Sequence, residues 1–443
     1  MSHITPKSYY DLQKRLDGAP QGAPSSDVLF KILEILFTER EAKLVTQLPY
    51  NYFTDKKASK IWKLPIEETR KILEELADKG ILLDSSNNDI QRYVLAPPMA
   101  GFFEFSLMRT DGRFDRKILS ELYYQYITKE DDFARQLLTL KPSIARTFPA
   151  EESLPPKNIV LDYERASHII KTASCITVGT CYCRHKMEHL GKACNNPQRV
   201  CLTFNGAAES LSRHKIAEEI SKDEALKILD ECVSLGLVQI GDNVQDSVSW
   251  ICNCCSCCCE GMLAKKKFKE AFDLTSNFIS INMQEKCLAC GLCIKKCPVD
   301  AISIEEKNGK KYAKVNFSQC IGCGVCVKFC PSKSLILKRK NKISLVPKDG
   351  FERILMSAID SGTLQNYIFD NPSLLSHSIL KTIIGYILSL PPTKQLLAKR
   401  QLRSRFLNML TKTKHYNAFD KLGNEVKKTN YNHDEIEKIT PKA

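Results

Sequence analysis

Eight cysteines between Cys287 and Cys330 fall into two runs of one form, C-x2-C-x2-C-x3-C-P. The first run is Cys287, Cys290, Cys293 and Cys297, closed by Pro298. The second is Cys320, Cys323, Cys326 and Cys330, closed by Pro331. Thiolates are the donors that soft metals and iron–sulfur clusters take. Two-residue gaps keep three sulfurs on one tight loop, close enough to reach three corners of one iron–sulfur cube. Gly291 and Gly324 lie inside the loops, where positive φ or close backbone approach suits a residue without Cβ. The prolines fix φ and remove a donor where the chain leaves each loop. A zinc module or disulfide framework is the competing reading. Zinc sites, however, pair C-x2-C elements for four ligands in total, not two runs of four.

On these residues the stretch resembles the bacterial two-cluster 2[4Fe–4S] ferredoxin domain. In that family the fourth cysteine of each run ligates the other cluster. The resemblance therefore implies that Cys287, Cys290, Cys293 and Cys330 hold cluster I, and that Cys320, Cys323, Cys326 and Cys297 hold cluster II. Crossed ligation of this kind ties the halves together, so losing one cluster would loosen both. The repeat extends to structure. Ala301–Ile304 and Ser334–Leu337 are short β-prone runs that follow the two motifs. Asn308-Gly309 signals a hairpin turn, with Tyr312–Val315 as the returning strand.

A second group of cysteines precedes the first. Cys181-Tyr-Cys183-Arg-His185, Cys194 and Cys201 are followed downstream by Cys252-Asn-Cys-Cys-Ser-Cys-Cys-Cys259, with a lone Cys175 ahead of them. Six cysteines in that last run exceed what one cubane takes. In an extended ribbon, Cys252, Cys254 and Cys258 point one way and Cys255, Cys257 and Cys259 the other. The ribbon could then lie between two metal sites, completed by Cys181, Cys183, Cys194 and Cys201. Arg184, with Lys186 and Lys192, could balance the thiolate charge, and His185 is a candidate ligand or donor to sulfur. The pattern is similar to that of uncharacterised anaerobic iron–sulfur proteins that also end in ferredoxin motifs. Three chemistries stay open here: one or two further iron–sulfur clusters, a structural zinc site, or a dithiol relay. Cys232, on the amphipathic helix Asp223–Leu235 stopped by Gly236, reads as a small buried hydrophobe.

The rest of the chain must position these loops. At 443 residues, 43% hydrophobic and 26% charged, it has room for several domains and a substantial core. The expected class is multidomain α+β. Residues 1–24 read as a loosely ordered leader. Residues 25–105 give helices at 27–36, 39–48, 56–62 and 65–79, then a hairpin of Ile81–Leu83 and Arg92–Leu95. This order resembles a winged-helix domain. A helical segment at 106–172 follows, with helices at 114–127, 131–140 and 163–173. Then come the Cys-rich module at 173–262, the ferredoxin-like domain at 279–340, a helical C-terminal segment at 341–416 and a polar tail at 417–443.

Net charge is +14. Such an excess admits an acidic protein partner, an anionic membrane or nucleic acid. DNA is disfavoured because the would-be recognition helix carries Glu67, Glu68, Glu74, Glu75 and Asp78 against Arg70, Lys71 and Lys79. Ser376–Leu390 is apolar but too short to span a bilayer. With the basic residues up to Lys414, the stretch 376–414 offers peripheral membrane contact, or a solvated basic face. MSHITPKSYYDLQKRL holds no signal-type apolar run, so a cytoplasmic, reducing and anaerobic setting is expected. No dinucleotide fingerprint, P-loop, flavin signature or Ser–His–Asp set is present. The leading expectation is an electron-transfer protein or oxidoreductase subunit serving a partner with an acidic docking surface. Alternatives are a reductase whose site is the cluster or thiols at 252–259, and an iron–sulfur redox-sensing DNA-binding regulator.

Overall fold

The computed structural model of the chain describes residues 5–87, 90–155, 160–269, 273–341 and 343–368. The first surprise is at the start. Helix α1 (Lys7–Asp17) buries Tyr9, Leu12 and Leu16, and Gln13 donates to the Ala23 carbonyl at 2.7 Å. The expected loose leader is thus part of the core. Its apolar residues recur at helical spacing, a stripe that the flanking polar residues hide. Helices α2 (Asp27–Leu36) and α3 (Glu39–Thr46) start where their caps dictate. Ser26 accepts from the Leu29 amide, and Thr38 forms a capping box with Glu41. Strand β1 (Phe53–Thr54), α4 (Asp55–Trp62), α5 (Ile66–Asp78), β2 (Leu82–Asn87) and β3 (Ile90–Leu95) follow, the strands pairing in the order β1-β3-β2.

Helices α6 (Phe103–Met108), α7 (Arg116–Tyr123) and α8 (Asp132–Thr139) complete the first core. That core runs from Tyr9 to Leu140 and takes in Tyr182, Leu211 and Ile216. The boundary expected near 105 therefore divides nothing. The boundary near 172 fails for a second reason. Strand β4 (Ala145–Phe148), expected to be helical surroundings, belongs to a six-stranded antiparallel sheet with the Cys-rich region.

The elements of that region are α9 (Ala166–Thr172), β5 (Ile176–Thr180), α10 (Tyr182–His189), β6 (Arg199–Phe204), α11 (Asn205–Arg213), β7 (Glu218–Glu219), α12 (Lys222–Ser234), β8 (Val238–Asp242), β9 (Trp250–Cys254) and α13 (Glu260–Phe268). The sheet order is β4-β8-β9-β6-β5-β7. Cys232 on α12 is fully buried in the second core. A third core joins Val238, Ile240, Cys254, Cys259 and Met262 to the ferredoxin-type region, so the two cysteine-rich parts share one interior.

In the ferredoxin-type region, β10 (Phe278–Asn282) pairs antiparallel with β13 (Leu335–Arg339), and β11 (Ile302–Lys307) with β12 (Lys310–Val315). Asn308 and Gly309 turn the hairpin, both at positive φ (53° and 73°) as a two-residue hairpin turn requires. Short helices α14 (Leu292–Lys296) and α15 (Val325–Lys328) carry the cysteine loops. Helices α16 (Gly350–Ser361) and α17 (Leu364–Ile368) end the described chain. The apolar and basic stretch 376–414 lies outside the described residues. Among the described residues no helix is long and apolar enough to cross a membrane.

A polar cluster joins α5 and β2 to α11. His214 bridges Asp78 (2.6 Å) and Asp84 (3.2 Å), and Asp84 also takes Ser210 and Arg213. Burial alone would lower the His214 pKa, but its hydrogen bonds to Asp84 and Asp78 outweigh that and raise it. A raised imidazole pKa contributes stability that is complete below the ordinary value and is lost as pH rises through the folded value. Protection of the α11 and β2 amides, corrected for the intrinsic rise of exchange with pH, is therefore expected to fall as pH rises from about 6.5 through the raised folded value. His214→Asn should abolish that pH step. A wild-type step that survives in the variant would assign the effect elsewhere.

Candidate metal centres

The two ferredoxin-type loops enter their helices through glycines at positive φ, Gly291 at 73° and Gly324 at 80°. At Gly322 a Cβ would collide with the Phe278 carbonyl, so the second loop lies directly on β10 and tolerates no side chain there. A cavity of about 330 Å³, counting its part open to solvent, opens beneath it, lined by Cys297, Cys320, Cys323 and Cys326 with apolar Val299, Ala301 and Ile302. One cysteine of the first run thus meets three of the second. The reciprocal grouping is visible at Cys293. Burial raises its pKa, and the charges of Cys287, Cys290 and Cys330 raise it further. Four thiols around an apolar-lined cavity fit a cubane.

The two sets differ in setting. Cys323 and Cys326 are buried, and desolvation pushes Cys326 up to about 12. Cys290 is exposed, beside Leu288 at 70% exposure. Desolvation would raise Cys330 too, but the Ser334 and Ser332 hydroxyls and backbone amides outweigh it and hold it at about 7. Amides of Ala289 (3.5 Å) and Ala313 (3.4 Å) donate to Cys287 Sγ, and that of Ala301 (3.2 Å) to Cys297 Sγ. Such N–H···S bonds are a lever on cluster potential.

The Cys-rich region divides its ten clustered cysteines in a way the ribbon picture missed. Alternation holds along β9: Ile251 enters the second core, while Cys252 and Cys254 face the third. The strand then ends and the chain turns before α13. The turn sends Cys255 and Cys258 back to the second core and leaves Cys259, the residue before α13, on the side of Cys252 and Cys254. Cys258 and Cys259 therefore exchange the sides expected of them. Cys194, Cys255, Cys257 and Cys258 come together, every sulfur within 4.8 Å of the others. Cys181, Cys183, Cys201, Cys252, Cys254 and Cys259 line one pocket of about 1290 Å³, counting its part open to solvent, and Cys255 of the first group also reaches its wall. There Cys201 and Cys252, Cys252 and Cys254, Cys254 and Cys259, and Cys259 and Cys183 lie near enough to perturb one another's acidity. Cys175 joins neither group.

Arg184 is fully buried and donates twice to the Asn253 carbonyl (3.1 and 3.0 Å). Its charge acts on Cys181 in one group and on Cys255 in the other, the balancing role expected of it. Lys186 and Lys192 do not share that role. Lys186 is paired with the buried Glu260, and Lys192 lies over the Tyr124 ring at 4.8 Å. His185 turns away from sulfur: Nδ1 meets the Leu107 carbonyl at 2.6 Å and Nε2 meets His189 at 3.2 Å. Sequence reasoning passed over two acids of the pocket. Burial pushes the Glu104 carboxyl up to about 8, against amide bonds from Ala100 (2.8 Å) and Gly101 (3.1 Å). Glu260 Oε2 has no partner among the described residues. A lone acid in the apolar run Phe102–Leu107, and an acid directly after the cysteine run, were the available signals.

A 4Fe-4S dicluster domain model matches residues 286–334. No curated protein matches the chain. The matched segment and the gathered cysteines define an iron–sulfur protein with a ferredoxin-type 4Fe-4S domain.

Proposed function

We propose that this chain transfers single electrons through two [4Fe–4S] clusters, to or from a partner oxidoreductase. Cys287, Cys290, Cys293 and Cys330 would hold the first, and Cys297, Cys320, Cys323 and Cys326 the second. The carrying observation is the apolar-lined cavity that gathers Cys297 with three cysteines of the other run. Bound there, the cubes supply the redox chemistry. The residues of this chain hold the sulfurs, exclude water and set the potential through amide and hydroxyl bonds.

The difference in exposure gives the path a direction. The first set sits at the surface among exposed Leu288, Lys286 and Lys295, chemistry suited to an acidic docking partner. The second set faces inward. Gln319, beside Cys320, donates to the carbonyls of Lys265 (3.3 Å) on α13 and Val299 (3.0 Å). Helix α13 starts at Glu260, about 8 Å of helix rise from Lys265, where the six-thiol pocket begins. A further cluster in that pocket is the natural terminus of the path.

The strand order β1-β3-β2 behind α4 and α5 supports a winged-helix reading of the N-terminal region. The exposed acids Glu67 and Glu75 of α5 suit protein docking, not a phosphate backbone. A second reading, a reductase, is favoured by one observation: the pocket over the six thiols also presents Glu104, whose burial-raised pKa lets it hold a proton there, and the unpartnered Oε2 of Glu260. Anaerobic titration with dithionite tests the main reading. The expected result is a bleaching of the brown chromophore that a one-electron acceptor fully restores. A chromophore that cannot be cycled would reject electron transfer.

A further inference from the structure

We infer that Cys194, Cys255, Cys257 and Cys258 form a separate site for a single tetrahedral metal ion, bound by four thiolates and no sulfide. The inference rests on the proposal that the Cys-rich region binds metal, and it assigns one site within that region a different kind of metal.

The argument is one of spacing. A metal–sulfur bond of about 2.3 Å with tetrahedral angles sets sulfur–sulfur edges of about 3.8 Å. Cys257 Sγ lies 3.6 Å from Cys258 Sγ, and Cys258 Sγ lies 3.9 Å from Cys194 Sγ. All four sulfurs fall within 4.8 Å of one another. Around a cube each outer thiolate sits on its own iron at a separate corner, so the four sulfurs must stand farther apart. Among the described residues, this is the one set of three or more metal-ligating side chains drawn so close. The cysteines of the two ferredoxin-type loops are not, which is what a cube between them demands.

The surroundings fit a closed structural site. Asn196 Nδ2 donates to Cys194 Sγ at 3.2 Å, an outer bond that orients a ligand. The buried guanidinium of Arg184 hydrogen-bonds Cys255 and offsets the charge of four thiolates around a divalent ion. All four coordination positions are filled by protein, leaving none for substrate. The consequence is mechanical. Three ligands come from the turn between β9 and α13, and the fourth from the loop after α10. An ion there pins the turn that sends Cys259 to the side of Cys252 and Cys254. It thereby presents the six-thiol pocket, without joining it. Zinc and a lone iron share this donor chemistry.

The test compares metal and acid-labile sulfide in the anaerobically purified full chain with those in Cys257→Ser, whose side chain is exposed. The expected loss is one metal atom per chain, zinc or iron, with sulfide unchanged. Colour separates the two metals, since zinc is silent in the visible. Zinc-edge X-ray absorption of the wild-type chain covers a variant that fails to fold, with four sulfurs at about 2.3 Å and no metal neighbour expected; a lone iron is read instead by Mössbauer spectroscopy, as a high-spin component with four sulfur ligands separate from the cubane signals. A variant that loses sulfide together with iron, or a wild-type chain without zinc whose iron beyond the ferredoxin-type region is all cubane, would make the site a cluster and overturn the inference. A wild-type chain with no metal beyond the cubane iron of the ferredoxin-type region would instead remove metal from the whole Cys-rich region.

Discussion

Replacing Cys297 by serine will cost the chain roughly half of the iron and sulfide bound by its ferredoxin-type region, and the cube lost will be the one on the second loop. Cys297 follows the first three cysteines in sequence but lines the cavity with Cys320, Cys323 and Cys326. Double variants make the point sharply. Cys297→Ser with Cys320→Ser should lose no more iron than either alone, because both empty one site. Cys297→Ser with Cys287→Ser should lose nearly all of it. Iron and sulfide analysis after anaerobic reconstitution reads the result. The reverse pattern, with the first double sparing nothing and the second behaving as a single, would mean that each loop holds its own cube.

Lys186→Met is expected to destabilise the fold by about 3–5 kcal/mol. Lys186 and Glu260 are an ion pair with side chains only 1% and 6% exposed, at the edge of the six-thiol pocket. Tyr182 OH is the other partner of Glu260 Oε1, at 3.2 Å. Removing the ammonium strands a carboxylate beside Cys259. Replacing both partners by apolar residues removes the stranded charge as well, so Lys186→Met with Glu260→Leu should return most of the loss. Anaerobic urea unfolding measures both. A single variant as stable as the wild type would show that the pair holds nothing together.

The parts of this molecule legible in the sequence were those written in local chemistry. The spacing of eight cysteines, Asn308-Gly309, and the capped helices α2 and α3 all depend on residues a few positions apart. What escaped depended on distant partners. Strand β4 is four buried residues whose neighbour β8 lies far along the chain, so no local alternation announces the sheet. Helix α1 was hidden by its polar face. The exchange of Cys258 and Cys259 followed from extending a strand past Cys254, where the chain instead turns to begin α13. His185 looked like a ligand because it follows Cys183 closely, yet on a helix that spacing turns it toward Leu107.

Iron and sulfide stoichiometry joined to EPR of the reduced, anaerobically prepared chain tests the central claim most directly. Two cubes sharing one core and exchanging ligands should show equal iron and sulfide from the 286–334 region, and an EPR signal broadened by coupling between two neighbouring reduced clusters. Protein that carries metal without sulfide, or that gives only the signal of one isolated cluster, would contradict it.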